Sequence, residues 1–462
     1  MENATPKKQP KYAKLRFLKG AAWIAAGGFI AKIVGAIYRI PLTNLIGGHG
    51  LGLYQLVYPV YCLLLTISAT GIPSSIAKLT AERLEKGESD KPVFKTSIKL
   101  FLLIGTGGTL LMAALAPILA KAQGAEEVLG GYFVLAPAVL LVSAISVFRG
   151  WFQGRNQMFP TAVSEVTEQI VKVGFGLLFA YLYRSNVQKA VVFLLLAVSI
   201  SEAIALLVMW ILFKRVPAPT LQKKEGGRVA MRSVLKLSIP VTLSSILLPL
   251  SGLLDSVLVP RLLGGYAADP VSLFGLFSGG AVTIVNLPVS VCYGIAAASV
   301  PAVAAATAKN SPSNAKDTRK RILFSLLITL AIAAPSALGL YFFAEPAAKI
   351  IFRSLQGEEL QTLIGLVKIF SISALTLSLV QTLSACLTAQ GKPQYAALSM
   401  LIAVTVKTAV YVVLLQNPQI SVFGLAHATN VCYLVAFLLN LLYNLRVATP
   451  NRGPGNHSPA QL

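Results

Sequence analysis

The chain has the composition of an integral membrane protein. Of its 462 residues, 55% are apolar and 12% are charged, and the mean hydropathy is +0.71. Soluble domains typically have about 45–50% apolar and about 25% charged residues, so a water-soluble fold is excluded. The net charge of +23 would suit nucleic acid, but no basic soluble module with base-contacting motifs is visible, and we expect no such partner.

Apolar runs long enough to cross a bilayer, which takes about 20 residues, recur along the whole chain. In chain order they lie at residues 18–40, 52–77, 98–120, 129–149, 160–183, 190–213, 235–259, 273–303, 322–343, 360–386, 395–415 and 422–444. We therefore predict an all-α integral membrane fold with about twelve transmembrane helices. No cleavable signal precedes the first run, so we expect that run to be a retained helix.

Positive charge is distributed unequally between the two sides of these predicted spans. Of the 40 Lys and Arg residues, 29 fall on the side of the N-terminus, 6 on the opposite side and 5 inside spans. Short cytoplasmic loops carry such an excess. We therefore predict a multi-pass protein of the cell membrane with both termini in the cytoplasm.

The two halves of the chain repeat short motifs in the same order. Ile72-Pro73 corresponds to Val300-Pro301, and Gln153-Gly154-Arg155 corresponds to Gln390-Gly391-Lys392. This predicts two pseudo-symmetric six-helix bundles in parallel orientation. The predicted domains are a basic N-terminus, the first bundle, a cytoplasmic linker, the second bundle and a cytoplasmic polar tail, at residues 1–17, 18–213, 214–234, 235–444 and 445–462.

Five cations lie inside predicted spans, where a charge costs several kcal/mol and is a functional hypothesis by default. They are Lys32, Arg39, Lys172, Lys368 and Lys407. The four lysines are close to mid-depth, and Arg39 lies about 10 Å further along the first span than Lys32. These residues predict a positive cavity that binds a phosphate or pyrophosphate group. The alternatives are that the lysine side chains snorkel toward an interface and that Arg39 is an interface anchor.

Four further charged residues are predicted to take part in coupling or gating: Glu168, Glu202, Asp255 and Arg261. Glu202 is near mid-depth, and Glu168 can pair with Lys172 at i, i+4 on one helix face. Asp255 and Arg261 could form a mutual ion pair or a gate.

Helix-breaking residues interrupt spans seven and eight. Pro240, Pro249 and Pro260 divide span seven, and Gly279-Gly280 and Pro288 interrupt span eight. Such positions can absorb bending in a moving helix, or they can be simple kinks in a static bundle.

Several motifs carry a resemblance to a known family. They are Ile-Val-Gly-Ala-Ile-Tyr-Arg-Ile-Pro at 33–41, Gly-Leu-Gly-Leu-Tyr at 50–54, Thr-Gly-Ile-Pro-Ser-Ser-Ile-Ala-Lys-Leu at 70–79 and Thr-Ile-Val-Asn-Leu-Pro at 283–288. With them the chain resembles the polysaccharide-transporter branch of the MOP flippase superfamily. Within that branch it is similar to the stage V sporulation protein B group and, more distantly, to MurJ-type lipid II flippases.

The resemblance implies two helix bundles around a central cavity and alternating access to a lipid-linked glycan. Lys32 matches a basic position of the first-helix motif of MurJ-type proteins, and from the helix breakers we expect spans one, two, seven and eight to line the pathway. MurJ-type proteins add a helix pair after the twelfth span, which none of the predicted spans matches. They also carry cavity arginines in spans two and eight, whereas the stretches 63–73 and 279–288 hold no charge here.

We therefore expect a flippase that moves a lipid-linked oligosaccharide or peptidoglycan-type precursor. Its expected partners are an anionic pyrophosphate headgroup and membrane lipid, and we expect a monomer. The alternatives are a MATE-type drug or cation antiporter, which would place carboxylates at mid-depth, and a membrane-embedded glycan enzyme, which would have a large outer loop. No phosphate-binding loop, catalytic triad or metal-ligand spacing is visible, so we expect no catalytic residues, cofactor or metal.

Overall fold

The computed structural model describes residues 11–216, 231–307 and 314–447, and the regular structure in these ranges is entirely helical. The α-helices, α1 to α16 in chain order, are Lys11–Leu65, Ile72–Glu85, Lys91–Ala122, Leu129–Gly154, Phe159–Leu182, Val187–Lys214, Met231–Ser245, Leu247–Leu263, Pro270–Gly275, Val282–Thr307, Asn314–Phe342, Ala344–Ile351, Gly357–Phe370, Ile372–Ala389, Pro393–Leu414 and Phe423–Val447. Two π-helical segments, Thr66–Thr70 and Leu276–Ala281, and a 3₁₀ turn, Glu126–Val128, connect some of them. The predicted all-α fold is confirmed.

Nine helices of the described residues are long and apolar enough to cross a membrane. They correspond to all the predicted spans except the first, fifth and seventh. The first lies mostly in a stretch whose side chains are not described, and the fifth carries Glu165, Glu168 and Lys172. The seventh is divided into the shorter helices α7 and α8. The chain is therefore a multi-pass membrane protein.

The breaks in the long helices follow from residue chemistry. Gly47 has a φ of 67° and a ψ of −173°, which ends one helix and starts another within α1. A positive φ is accessible to glycine at little cost. Between α7 and α8 the break falls at Ile246, three residues before Pro249, whose missing N–H cannot bond the carbonyl of Ser245. The predicted interruption of span seven is confirmed near Pro249, whereas Pro240 and Pro260 lie inside α7 and α8 and do not divide the span.

The chain forms two compact units. The first comprises Met1–Thr283 and Ala348–Leu363, and the second comprises Ile284–Ala347 and Ile364–Leu462. The predicted repeat boundaries at 18–213 and 235–444 stay a prediction.

In the first unit α4 packs against α2, α3 and α6. Gly150 and Gly154 let α4 approach α2 closely, because a Cβ at Gly150 would lie 2.8 Å from the Cα of Pro73 and one at Gly154 would lie 2.7 Å from the Ala77 carbonyl oxygen. Small residues four apart allow this close helix contact inside a membrane.

Polar contacts define the two ends of the first unit. At one end, called the Gly47 end, His49 of α1 contacts the connection between α3 and α4 and the connection between α8 and α9. Its Nδ1 lies 2.8 Å from Asp269 and its Nε2 lies 3.1 Å from Glu127. At the opposite end, Arg155 pairs with both carboxylate oxygens of Asp90, at 2.6 and 2.9 Å. The Arg155 guanidinium also stacks over Trp151, 3.8 Å from the ring centroid.

In the second unit, α14 is joined to α11 and α16 by side-chain hydrogen bonds. Thr329 and Thr382 share a hydrogen bond of 2.9 Å, and Asn440 donates to Ser384 at 2.9 Å. Asn444, one turn further, donates to the Leu383 carbonyl at 3.1 Å and accepts from Gln390 at 2.8 Å. Amide side chains can thus join helices where apolar contact with lipid gives no driving force for association.

Candidate transport site

Arg39 is held between α1 and the start of α10. Its Nη1 donates to the Thr283 hydroxyl at 2.7 Å. The Thr283 hydroxyl donates in turn to the Gly279 carbonyl, within the π-helical segment Leu276–Ala281. Arg39 is only partly buried, so its guanidinium keeps further donors available. One hydrogen bond therefore fixes the orientation of a cation that can still bind another group.

Lys172, on α5, lies near Arg39. It is partly buried and interacts electrostatically with Glu168 and Glu202 and, less strongly, with Arg39. Among the described residues it has no carboxylate within ion-pair distance. Because Arg39 and Lys172 also interact with each other, an anionic group placed between them would be attracted to both cations.

A cavity of about 340 Å³ lies beside these cations and is lined by Glu165, Glu168, Glu202 and Arg149. Arg149 pairs with Glu168 at 3.2 Å and donates to the Ser164 hydroxyl at 2.9 Å. Glu202 is 4% exposed. Ala69 and Thr70 of the first π-helical segment also line the cavity, and π-bulges inside helices are frequent at functional sites.

Three tyrosines of α1 lie near the charged residues: Tyr54 and Tyr58 interact with Arg39, and Tyr61 interacts with Glu202. The Tyr54 and Tyr58 rings are stacked with centroids 5.0 Å apart, and the Tyr58 and Tyr61 centroids are 5.7 Å apart. The Tyr61 hydroxyl donates to Glu202 at 3.4 Å. We call Arg39, Arg149, Lys172, Glu165, Glu168 and Glu202 the charged cluster.

The charged cluster contains three cations and three carboxylates. Within the described residues of the first unit the site is thus balanced in formal charge. Arg39 bonds Thr283 at the start of α10, Lys172 interacts with Glu168 and Glu202, and Arg149 pairs with Glu168 beside the cavity. The predicted positive cavity therefore describes only one side of the cluster. The arrangement offers an anion-binding side and an adjoining side that can take up a cation or a proton.

The other predicted site residues lie elsewhere. Lys32 is in α1, but its side chain is outside the described part of the structure. Lys368 is exposed on α13 and Lys407 is buried on α15, both in the second unit. Asp255 lies on α8, and Arg261 lines a separate pocket of the first unit.

Sequence reasoning missed Arg149, Glu165 and the tyrosines. Arg149 counts as a cytoplasmic charge at the end of span four, yet its side chain reaches Glu168 on the next helix. Glu168 is accordingly paired with Arg149 rather than with Lys172. The i, i+4, i+7 spacing of Tyr54, Tyr58 and Tyr61 places them on one helix face, which was the available signal.

Comparison with known proteins identifies related chains. The sequence pattern of the family described as "Polysaccharide biosynthesis protein" matches residues 17–307. Stage V sporulation protein B of Bacillus subtilis is 25% identical over 428 residues, covering 90% of this chain and 81% of that protein. The lipid II flippase MurJ of the same organism is 24% identical, covering 92% of this chain and 82% of that protein.

Among solved structures, an inward-facing multidrug resistance MATE family transporter of the MOP superfamily is similar to this chain. The TM-score is 0.77 at 18% identity, and the match covers 93% of this chain and 98% of that one. At this level of identity the likeness concerns the fold.

Proposed function

This chain belongs to the polysaccharide biosynthesis protein family, and we propose that it moves a lipid-linked, anionic oligosaccharide or peptidoglycan-type precursor across the cell membrane by alternating access. The related MurJ is named as a lipid II flippase, which supports a lipid-linked substrate. The proposed ligand group is the pyrophosphate that links sugar and lipid.

The observation that carries this proposal is the pairing of Arg39 with Thr283 beside Lys172. A guanidinium has five donors in a planar fork that matches phosphate oxygens, and the contact with Thr283 uses only one nitrogen. Lys172 adds a second positive charge on a different helix. A pyrophosphate bound there would neutralise both cations and relieve their mutual repulsion.

The carboxylate side of the charged cluster is proposed to couple transport to a proton or a monovalent cation. Burying a carboxylate such as Glu202 is costly unless it is paired or neutralised. The Glu202 carboxylate accepts a hydrogen bond of 3.4 Å from the Tyr61 hydroxyl. Uptake of a cation there would change the charge of the site next to the anion-binding side, with Glu165 and Glu168 as neighbours.

The proposed orientation places both termini and the Asp90–Arg155 end in the cytoplasm, and the Gly47 end outside. It rests on the excess of Lys and Arg in the loops on the N-terminal side. In a variant without the four native cysteines, a single cysteine at Gln416 should react with an impermeant thiol reagent added from outside. A cysteine at Asn156 should not react, and the reverse pattern would contradict the orientation.

The substrate proposal is tested with purified protein in vesicles that contain a fluorescent undecaprenyl diphosphate-linked sugar. Headgroup movement is followed with an impermeant quencher. Lys172→Gln and Lys32→Ala should each lower the initial rate about tenfold, the loss expected for one charge-assisted hydrogen bond. Lys32→Arg should keep part of the activity because its charge is retained.

Lys189→Gln serves as the control for these variants, because it removes a lysine from the exposed start of α6. It should transport at the wild-type rate. Wild-type rates in Lys172→Gln and Lys32→Ala would show that neither lysine binds the substrate.

A cation antiporter is a second candidate, favoured by one observation. Three carboxylates, Glu165, Glu168 and Glu202, line the 340 Å³ cavity, as expected for a site that takes a cationic ligand. The two functions differ in the sign of the transported charge, which can be measured directly.

A further inference from the structure

A second cavity of the first unit lies at its Gly47 end and shares no residue with the charged cluster. Its volume is about 610 Å³. It is formed where α3 and α8 end and α9 begins, and its lining includes Lys121, Gln123, Gly124, Arg261 and Pro270. We call it the α3–α8 pocket.

The wall of the α3–α8 pocket is fixed by Gln123, which is 1% exposed. Its amide donates to the Leu56 carbonyl at 2.9 Å and to the Ser256 hydroxyl at 3.3 Å. Its oxygen accepts a hydrogen bond from Tyr132 at 2.9 Å. The end of α3 is therefore tied to α1, α4 and α8, so the pocket is preformed.

Lys121 and Arg261 are exposed and form no ion pair with another described residue. The nearby acids Glu127 and Asp269 are both bonded to the His49 side chain. Asp269 also accepts the backbone N–H of Ser272 at 2.8 Å. The remaining acid of the α3–α4 connection, Glu126, is exposed and does not line the pocket. The residues that line the pocket thus include two cations, Lys121 and Arg261, and no acidic side chain.

An apolar surface adjoins the pocket. Leu103, Leu110 and Ile118 on α3 have exposed fractions of 71%, 64% and 64%, and Ile118 itself lines the pocket. In a membrane protein such a face contacts lipid chains. A ligand with an anionic head and an apolar tail matches both surfaces at once.

We propose that the α3–α8 pocket binds the phosphate headgroup of an anionic membrane lipid, with its acyl chains along α3. Basic pockets between transmembrane helices bind such headgroups through charge. In the sequence, only six of the 40 Lys and Arg residues lie on this side of the predicted spans, and the pocket holds two of them. The proposal is independent of the transported substrate.

Lys121 and Arg261 also lie in the last turns of α3 and α8, where a cation interacts favourably with the helix dipole. That role would affect the stability of the helix ends but would give no preference among lipids. The two roles are therefore separated by measuring lipid selectivity at the pocket.

The test replaces Ile118 with the photo-cross-linking residue benzoylphenylalanine in the full-length protein. The protein is placed in vesicles with equal amounts of phosphatidylglycerol and phosphatidylcholine, and the captured lipids are identified by mass spectrometry. Phosphatidylglycerol should be enriched about tenfold, equivalent to one charge-assisted hydrogen bond. The same residue at Leu103, on the apolar face outside the pocket lining, should capture both lipids about equally.

In a variant with both Lys121→Gln and Arg261→Gln, the enrichment at position 118 should fall to the value at position 103. Arg261→Gln alone gives the same direction of change if the double variant does not fold, and Lys189→Gln should leave the enrichment unchanged. Persistent enrichment in the folded variants would overturn the proposal. Loss of enrichment on adding inorganic pyrophosphate at the lipid concentration would also overturn it, because the site would then bind soluble phosphates.

Discussion

The contact between Arg39 and Thr283 offers the sharpest test of the anion-binding side of the charged cluster. Thr283→Val removes the hydroxyl while keeping the side-chain shape, so the guanidinium stays charged but loses the acceptor that holds it at 2.7 Å. The hydroxyl also donates to the Gly279 carbonyl. A matched control must therefore lose a similar hydroxyl-to-carbonyl bond and no contact with Arg39.

Thr429→Val is that control. Thr429 is buried on α16, and its hydroxyl donates to the carbonyl of Leu425, four residues earlier, at 2.8 Å. Both variants thus lose a threonine hydroxyl bonded within its own helix. Only Thr283→Val also releases the guanidinium.

A hydrogen bond with one charged partner contributes about 1.5–3 kcal/mol, and each 1.4 kcal/mol corresponds to about tenfold in an equilibrium constant. Because Arg39 is partly exposed, we expect the lower limit. Thr283→Val should weaken substrate binding about tenfold and raise the apparent KM of transport, and Arg39→Ala should have a larger effect.

The assay is headgroup translocation in vesicles at several concentrations of the fluorescent undecaprenyl diphosphate-linked sugar. Equal KM values for Thr283→Val and Thr429→Val would show that the contact between Thr283 and Arg39 does not contribute to substrate binding. Arg39 would then be an interface anchor whose orientation has no effect on the substrate.

Three further predictions concern coupling and stability. Glu202→Gln should abolish the dependence of the transport rate on imposed proton and sodium gradients, whereas Tyr61→Phe should retain this dependence. A transport rate that still depends on the gradients in Glu202→Gln would exclude Glu202 as the coupling group. Asp90→Asn should lower the free energy of unfolding by about 3 kcal/mol, because Asp90 is 1% exposed and pairs with Arg155 through both carboxylate oxygens. Chemical denaturation measures this difference, and coincident unfolding curves of wild type and variant would contradict the prediction. Although burial alone would raise it, the pKa of Asp269 is lowered by hydrogen bonds from His49 and from the backbone N–H of Ser272, and the hydrogen bond with Asp269 raises the pKa of His49. The unfolding-temperature difference between wild type and Asp269→Asn should therefore be largest where Asp269 is ionised and His49 is protonated. It should disappear as the pH falls below about pH 4 and decrease as His49 loses its proton, and a difference independent of pH would contradict this prediction.

The helical membrane fold could be predicted from the sequence because hydrophobic length and local breakers determine it. Apolar runs identified the helices, Pro249 indicated the break in span seven, and Gly279-Gly280 lie in the π-helical segment of span eight. These are properties of neighbouring residues in the chain. Bilayer thickness and backbone hydrogen bonding act on them directly.

The pairing of charges could be predicted only in part. Arg39, Lys172, Glu168 and Glu202 were identified because each is costly inside a span, and the structure brings these four together in one unit. The partner of Glu168 was not predictable, since the local i, i+4 rule favours Lys172 while the tertiary packing of α4 against α5 presents Arg149. Contacts between helices depend on rotation and crossing angle, which hydropathy does not encode.

The central claim is that the transported group is an anionic, lipid-linked headgroup. The most direct test compares transport of the fluorescent undecaprenyl diphosphate-linked sugar with transport of the cationic dye ethidium, in the same vesicles containing wild-type protein or the Arg39→Ala, Lys172→Gln double variant. The wild type should move the diphosphate-linked sugar, the double variant should lose most of this movement, and neither should transport ethidium. Ethidium transport by the wild type without movement of the diphosphate would contradict it.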